Sequence, residues 1–142
     1  LPSALSEHDL LFVTAGTAIA AIRSVVGEAL NAGARSRVSV VIGVRHAADL
    51  CFANELVAWH ERGVNVRVAL SYGEADLDLA LPLSAGRGRV QAHLAALVSP
   101  TTRAFIAGSE ELEDEVTAVL VAGGVDVRHI QRNYRPDGRI TA

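Results

Sequence analysis

Methionine is missing from this 142-residue chain, and cysteine is nearly so, with Cys51 alone. A single cysteine excludes an internal disulfide and a cysteine metal cluster, and the sparse thiol content is that expected of a reducing, cytoplasmic setting. A chain that starts at Leu1 with no methionine anywhere is expected to continue upstream. Aromatic residues make up only 4% of the chain although half of it is hydrophobic. The apolar mass is therefore Ala, Val, Leu and Ile, which suits Val-rich parallel strands under Ala-rich helices. No apolar run approaches the roughly 20 residues of a membrane span, and no signal peptide is visible. Basic blocks and basic–aromatic interleaving are also missing. With 13 Lys and Arg against 16 Asp and Glu, the net charge is −3, and no nucleic-acid surface is expected. His8, His46, His60, His93 and His129 show no metal-ligand spacing and read as structural or surface residues, so no metal is expected. No Ser–His–Asp or paired-carboxylate spacing appears, and no residue is assigned a catalytic role. Repeats and low-complexity segments are absent as well.

What the chain does have is a strand–turn–helix grammar, first stated by residues 10–24. Leu10 to Val13 is an apolar run. Thr14-Ala-Gly-Thr17 is a small-residue turn, and Ile19, Ile22, Val25 and Val26 follow at helical spacing. A buried strand, a tight turn and a helix make the first half of a βαβ unit. The turn's backbone N–H groups and the positive end of the helix then lie at the sheet's carboxyl edge, where open α/β folds hold phosphates.

The same grammar recurs down the chain. Residues 1–9 read as a lead-in or linker end, 10–134 as one α/β domain, and 135–142 as a tail. Strands are expected at 10–14, 38–43, 64–71, 103–107 and 125–130. Helices are expected from the first turn to about Leu30, at 47–62, at 89–98 and at 109–122. Asn31-Ala-Gly33, Gly63 and Gly123-Gly124 supply the stops. Residues 72–86 lack a clear period and read as a loop. Five strands alternating with four helices predict a three-layer, doubly wound α/β sandwich, a five-stranded parallel sheet with helices on both faces.

Each candidate site residue has two readings at this stage. Gly16 either opens a phosphate-binding loop or merely turns a strand into a helix, since one glycine among alanines is a partial motif. Arg45, after the second strand, is either a phosphate ligand or a solvated loop arginine. Ser109 follows the fourth apolar strand and either faces a ligand or only caps the next helix. Cys51, beside Phe52, reads as a buried inert thiol rather than a nucleophile. The acids at 110–115 read as a solvated helix start.

Together these pieces resemble the nicotinamide-nucleotide-binding domain of the ferredoxin–NADP reductase family. Leu11-Phe-Val-Thr-Ala-Gly-Thr-Ala-Ile-Ala-Ala-Ile-Arg-Ser24 is similar to that family's strand leading into Gly-Gly-Thr-Gly-Ile-Ala-Pro. Val41-Ile-Gly-Val-Arg-His-Ala-Ala-Asp-Leu-Cys-Phe-Ala-Asn-Glu-Leu56 resembles its Gly-x-Arg turn followed by Asp-Leu and Phe-x-x-Glu-Leu. Gly86-Arg-Gly-Arg-Val90 resembles its Gly-Arg-Val, and Phe105-Ile-Ala-Gly-Ser-Glu-Glu-Leu112 stands in place of its Cys-Gly-Pro-x-x-Met.

The resemblance implies an electron-transfer module. In it a nicotinamide nucleotide binds this domain and exchanges hydride with FAD held by a separate upstream domain, in turn coupled to an electron-carrier protein or domain. By position Gly16, Thr17 and Ala18 would face the pyrophosphate, Arg45 the ribose–phosphate side, Ser71 the adenosine, and Ala107, Gly108 and Ser109 the nicotinamide. The chain departs from the pattern at Ala18 and Ala21, where the family has glycine and proline, and at Ala107 and Ser109, where it has cysteine and proline. The Cβ of Ala18 is expected to intrude on the pyrophosphate, so that Ala18→Gly would tighten binding. Glu74, Asp76 and Asp78 follow Ser71, and no Lys or Arg intervenes before Arg87. NAD(H) is therefore expected over NADP(H). The alternative function is a non-catalytic domain of the same fold, retained for partner binding or structure.

Overall fold

The structure is a computed structural model and describes residues 8–31, 37–71 and 83–132. The first strand, β1 (Asp9–Ala15), is buried along five consecutive residues. A strand covered on both faces has no solvent side, so its sequence shows an unbroken apolar run rather than an alternation. Leu10 and Phe12 point into one core layer, and Leu11 and Val13 into the other. β2 (Val38–Val44) and β3 (Asn65–Leu70) lie in parallel on one side of β1, with Val13 opposite Val41 and Val41 opposite Arg67. β5 (Thr102–Ala107) pairs in parallel on β1's other side, with Thr14 opposite Ala107.

With β4 (Ser84–Arg87) and β6 (Ile130–Gln131) at its edges, the sheet has six strands in the order β4-β3-β2-β1-β5-β6, all parallel. The sequence suggests five. The extra strand is β4 (Ser84–Arg87), which falls in the stretch read as loop. Four residues that include Gly86 and are followed by Gly88 carry no measurable period, and only pairing with β3 makes them a strand. The last strand is correspondingly shorter than expected. A 3-10 turn at Val127–His129 precedes β6 (Ile130–Gln131).

Helices cover both faces. α1 (Arg23–Asn31) contributes Val25, Val26 and Ala29, and α2 (Ala53–Glu61) contributes Leu56 and Trp59, to the core layer that holds Phe12. α3 (Glu110–Ala122) sends Leu112, Val116 and Leu120 into the opposite layer. Three expected helices are broken. The first begins as a six-residue 3-10 turn, Gly16–Ala21, before α1 starts at Arg23. The second is a 3-10 turn at Ala47–Asp49, an interruption, and then α2. At the interruption Phe52 sits in the left-handed region with φ 58, and Arg23 stacks over its ring at 4.0 Å. The segment after β4 forms two 3-10 turns, Val90–His93 and Ala95–Leu97, in place of one helix. Val90 and Leu94 face the core as their spacing predicts, while Leu97 packs at its edge. The apolar period was legible and the hydrogen-bond pattern was not, because i→i+3 and i→i+4 turns place apolar residues alike over one or two turns. No helix among the described residues is long and apolar enough to cross a membrane.

Candidate functional site

The chain builds outward from β1 to β2, β3 and β4, and then returns across the sheet to β5 on β1's other side. The loops after β1 and β5 therefore leave in opposite directions and a crevice opens over their carboxyl ends. A cleft of ≈ 240 Å³ lies there. It draws on every strand end from β1 to β5: Gly16 after β1, Arg45 after β2, Ser71 after β3, Arg89 and Gln91 after β4, and Ser109 after β5.

Gly16 forms the floor. Its φ is +58, a conformation that costs an L side chain, and a Cβ built there would meet nothing within 4 Å. Glycine is required by backbone shape, and the space in front of it is open. The 3-10 turn that follows has no side-chain cap, because its N-cap is Ala15. Its first N–H groups are left to whatever occupies the cleft. α1 itself starts only at Arg23, so the expected helix terminus at this edge is replaced by the 3-10 turn.

Gly43 has a different cause. A Cβ there would lie 2.8 Å from Val90 Cγ1, so this glycine lets the turn after β4 pack onto β2. That packing brings Arg89 and Gln91 over the cleft. Both are held by one carboxylate. Arg89 Nη1 lies 3.1 Å from Glu115 Oε2, and the Gln91 amide donates to the same oxygen. Gln91 Oε1 is buried without a hydrogen-bond partner. Ser109 caps the next helix and also stands at the cleft. Its Oγ accepts from Leu112 N at 3.1 Å and so caps α3, and the residue also lines the cleft. Ser71 donates its backbone N–H to Val44 O at 3.0 Å, which ties the end of β3 to β2.

Of the residues proposed from sequence, Gly16, Arg45, Ser71 and Ser109 converge on the cleft, and Thr17, Ala18, Ala107 and Gly108 do not line it. Thr17 is exposed. Ala18 is half-buried and packs against the larger core layer, so its Cβ does not stand in the open space before Gly16. Ala107 is 1% exposed and belongs to the same core. Gly108 serves packing, since a Cβ there would collide with the Leu112 side chain. Sequence reasoning missed Arg89 and Gln91. Their signal is the Gly-Arg-Val segment, whose spacing predicts a helix start and which the structure makes a cleft wall. The acidic loop at 74–78 lies outside the described residues. Among the described residues no group of three or more His, Cys, Asp or Glu is arranged to hold a metal ion.

A six-stranded parallel sheet with a cleft at its β1–β5 switch point is the framework of a dinucleotide-binding α/β domain. The oxidoreductase NAD-binding domain family matches residues 12–125, and the chain belongs to this family, the NAD(P)-binding domain of ferredoxin–NADP reductase-like enzymes. Ferredoxin–NADP reductase B of Sorangium cellulosum (strain So ce56) is 30% identical over 137 residues, covering 88% of this chain and 53% of that protein. The chain thus spans about half the length of this curated relative. Among solved structures, flavohemoglobin from Malassezia yamatoensis with bound FAD and heme aligns with a TM-score of 0.73 and 17% identity, over 90% of this chain and 32% of that one. A mutant ferredoxin–NADP+ reductase from Plasmodium falciparum aligns with a TM-score of 0.70 and 15% identity, over 94% and 55% of the two chains. These two likenesses are of fold.

Proposed function

We propose that this domain, residues 10–134, is the nicotinamide-nucleotide half of a flavin-dependent oxidoreductase. It exchanges electrons between NAD(P)H and FAD held by a separate upstream domain, which in turn serves an electron-carrier protein or domain. The observation that supports this most is Gly16, left-handed and with open space before it, at the switch point of a parallel sheet. The described cleft is smaller than the about 300–1,000 Å³ of a drug-sized ligand pocket, so it suits part of a dinucleotide, its phosphates and a ribose. The uncapped N–H groups after Ala15 would donate to the pyrophosphate. Arg45 and Arg89 would offset its charge, and Ser71 would hydrogen-bond a ribose hydroxyl. The nicotinamide supplies the hydride, and the protein's part is to bind and orient it.

The coenzyme in this reading is NADH rather than NADPH. Glu74, Asp76 and Asp78 would repel a 2′-phosphate and accept from a ribose hydroxyl. Competitive titration of the two nucleotides at low salt, where surface charge is least screened, tests both parts of the proposal. Saturable NADH binding that outcompetes NADPH is expected. Equal affinity, or a preference for NADPH, removes the acidic loop from the adenosine end.

One observation favours a second reading, a partner-binding or structural domain without catalysis. Ala107, where the resembled family has cysteine, is buried in the core and offers the cleft no side chain. A folded chain with no saturable binding of either nucleotide would favour that reading.

A further inference from the structure

A second polar pocket lies on the other side of β5 from the cleft, toward the β6 edge of the sheet. It measures ≈ 280 Å³ and is lined by Arg103, Phe105, Arg128, His129, Gln131 and Arg132 among others. Arg103 is four residues before Ala107, about 13 Å back along the strand at about 3.3 Å per residue. Its register partner is Leu10, near the start of β1, so the pocket sits at the amino half of the sheet while the nucleotide cleft sits at the carboxyl edge.

The pocket is rich in donors and poor in acceptors. Arg128 grips Asp126, with Nη2 2.6 Å from Oδ2, and Arg132 Nη2 pairs with Asp114. Arg103 has no hydrogen-bond or ion-pair partner among the described residues. His129 Nδ1 and Arg132 Nε are both buried with no hydrogen-bond partner. The His129 ring is steadied edge-on by His8, with centroids 5.3 Å apart, and His8 Nδ1 donates to Thr101 O at 3.2 Å. An unmatched guanidinium and two buried nitrogens without acceptors in one pocket cost free energy unless an acceptor joins them. The acceptor that matches a planar guanidinium fork and further N–H donors is an oxyanion.

We propose that this pocket is an anion site for a phosphate group, with Arg103 as the charge partner and the His129 imidazole and Arg132 Nε as hydrogen-bond donors. It is separate from the nucleotide cleft and does not depend on nucleotide binding there. Phe105, stacked on Phe12 at 5.0 Å, and Ile130 give it an apolar wall. The phosphate is either free or the end of a small phosphorylated molecule.

Inorganic phosphate and glycerol phosphate are titrated in parallel into the 142-residue chain at low ionic strength, with site-resolved NMR as the readout. Saturable shifts at Arg103, His129 and Arg132 are expected. Tighter binding of glycerol phosphate assigns the site to a phosphorylated molecule, and equal binding to the free anion. Arg103→Gln keeps most of the stem but removes the charge, and should weaken binding about tenfold or more, the worth of a charge-assisted hydrogen bond. Arg103→Lys should recover part of it. Arg45→Ala should leave these shifts unchanged. Shifts confined to Gly16 and Arg45, unsaturable shifts, or equal affinity in wild type and a folded Arg103→Gln variant would overturn the proposal.

Discussion

Two small residues at the first turn, Gly16 and Ala18, have opposite meanings. Gly16 has open space where a Cβ would go but a backbone that resists one. Gly16→Ala should therefore destabilise the fold by about 1–2 kcal/mol, the cost of holding an L residue in the left-handed region. It should also weaken NADH binding, because the new methyl enters the cleft. Denaturant melts and a nucleotide titration on the same sample separate the two effects. Ala18 is the reverse case. Its side chain packs on the core, so Ala18→Gly should cost about 0.5–1 kcal/mol in backbone freedom and gain nothing in affinity. The sequence suggests the opposite, a tighter site, because counting along a glycine motif assigns positions and not directions. The 3-10 turn after Gly16 rotates residue 18 onto the core. Tighter NADH binding in Ala18→Gly would show that its Cβ does reach the ligand. Asp126 shows how a single exposed pair affects the acid limb. The Arg128 guanidinium and backbone N–H hold its carboxyl well below the usual carboxylate range. A depressed folded value gives stability above the unfolded pKa, about 4, that is lost as pH falls below it. Asp126→Asn should remove that acid-side loss from hydrogen exchange at the Val127–His129 turn, and an unchanged acid profile would count against the pair.

At the scale of elements, the site depends on how the turn after β4 is seated. Val90 lies over Gly43, and His93 ties the same turn to two strands. Arg67 Nε donates to His93 Nδ1 at 3.2 Å, and His93 Nε2 is 2.6 Å from Arg87 O. Gly43→Ala forces its Cβ into Val90, so it should destabilise by about 1–3 kcal/mol, the range for overpacking, and move Arg89 and Gln91 off the cleft. Val90→Ala in the same background should restore part of the loss, and an absence of such coupling in the double-mutant cycle would show that the two residues do not meet. Much of this architecture was legible from sequence. β1 and β2 are buried on both faces and read as apolar runs, β3 reads by the alternation of Val64, Val66 and Val68, β5 is apolar after Arg103, and α3 carries its own cap and acidic first turn. What stayed hidden depended on partners distant in sequence. β4 is a strand only because β3 lies beside it, and the 89–98 segment is pinned by Gly43, Arg67 and Glu115 before its own helical hydrogen bonds can extend. Gly16, Arg45, Ser71 and Ser109 were readable as residues of one sheet edge because each stands at the end of a recognisable strand. Arg89 and Gln91 follow a strand that the sequence did not show.

For the whole molecule, the cleft and the family membership together make ligand linkage the most direct measure of function. A ligand that binds only the folded state stabilises it by RT ln(1 + [L]/Kd), about 2.7 kcal/mol at roughly a hundred times Kd. For a domain of this size that should raise Tm by about 5–11 °C. NADH should produce such a shift in the chain by itself, since every cleft residue named above lies within the described residues. Turnover is a separate matter. Hydride transfer needs an acceptor, and in the proposed arrangement the acceptor is FAD on another domain. The 142-residue chain should therefore be stabilised by NADH yet be colourless and leave the 340 nm absorbance of about 0.1 mM NADH unchanged, a concentration inside the usual KM range. Joining the chain to an FAD-binding domain of the proposed kind should add flavin absorbance and NADH oxidation together. Stoichiometric flavin on the 142-residue chain would overturn this division of labour. A fusion that binds flavin but is neither stabilised nor reduced by NADH would locate the loss in this domain.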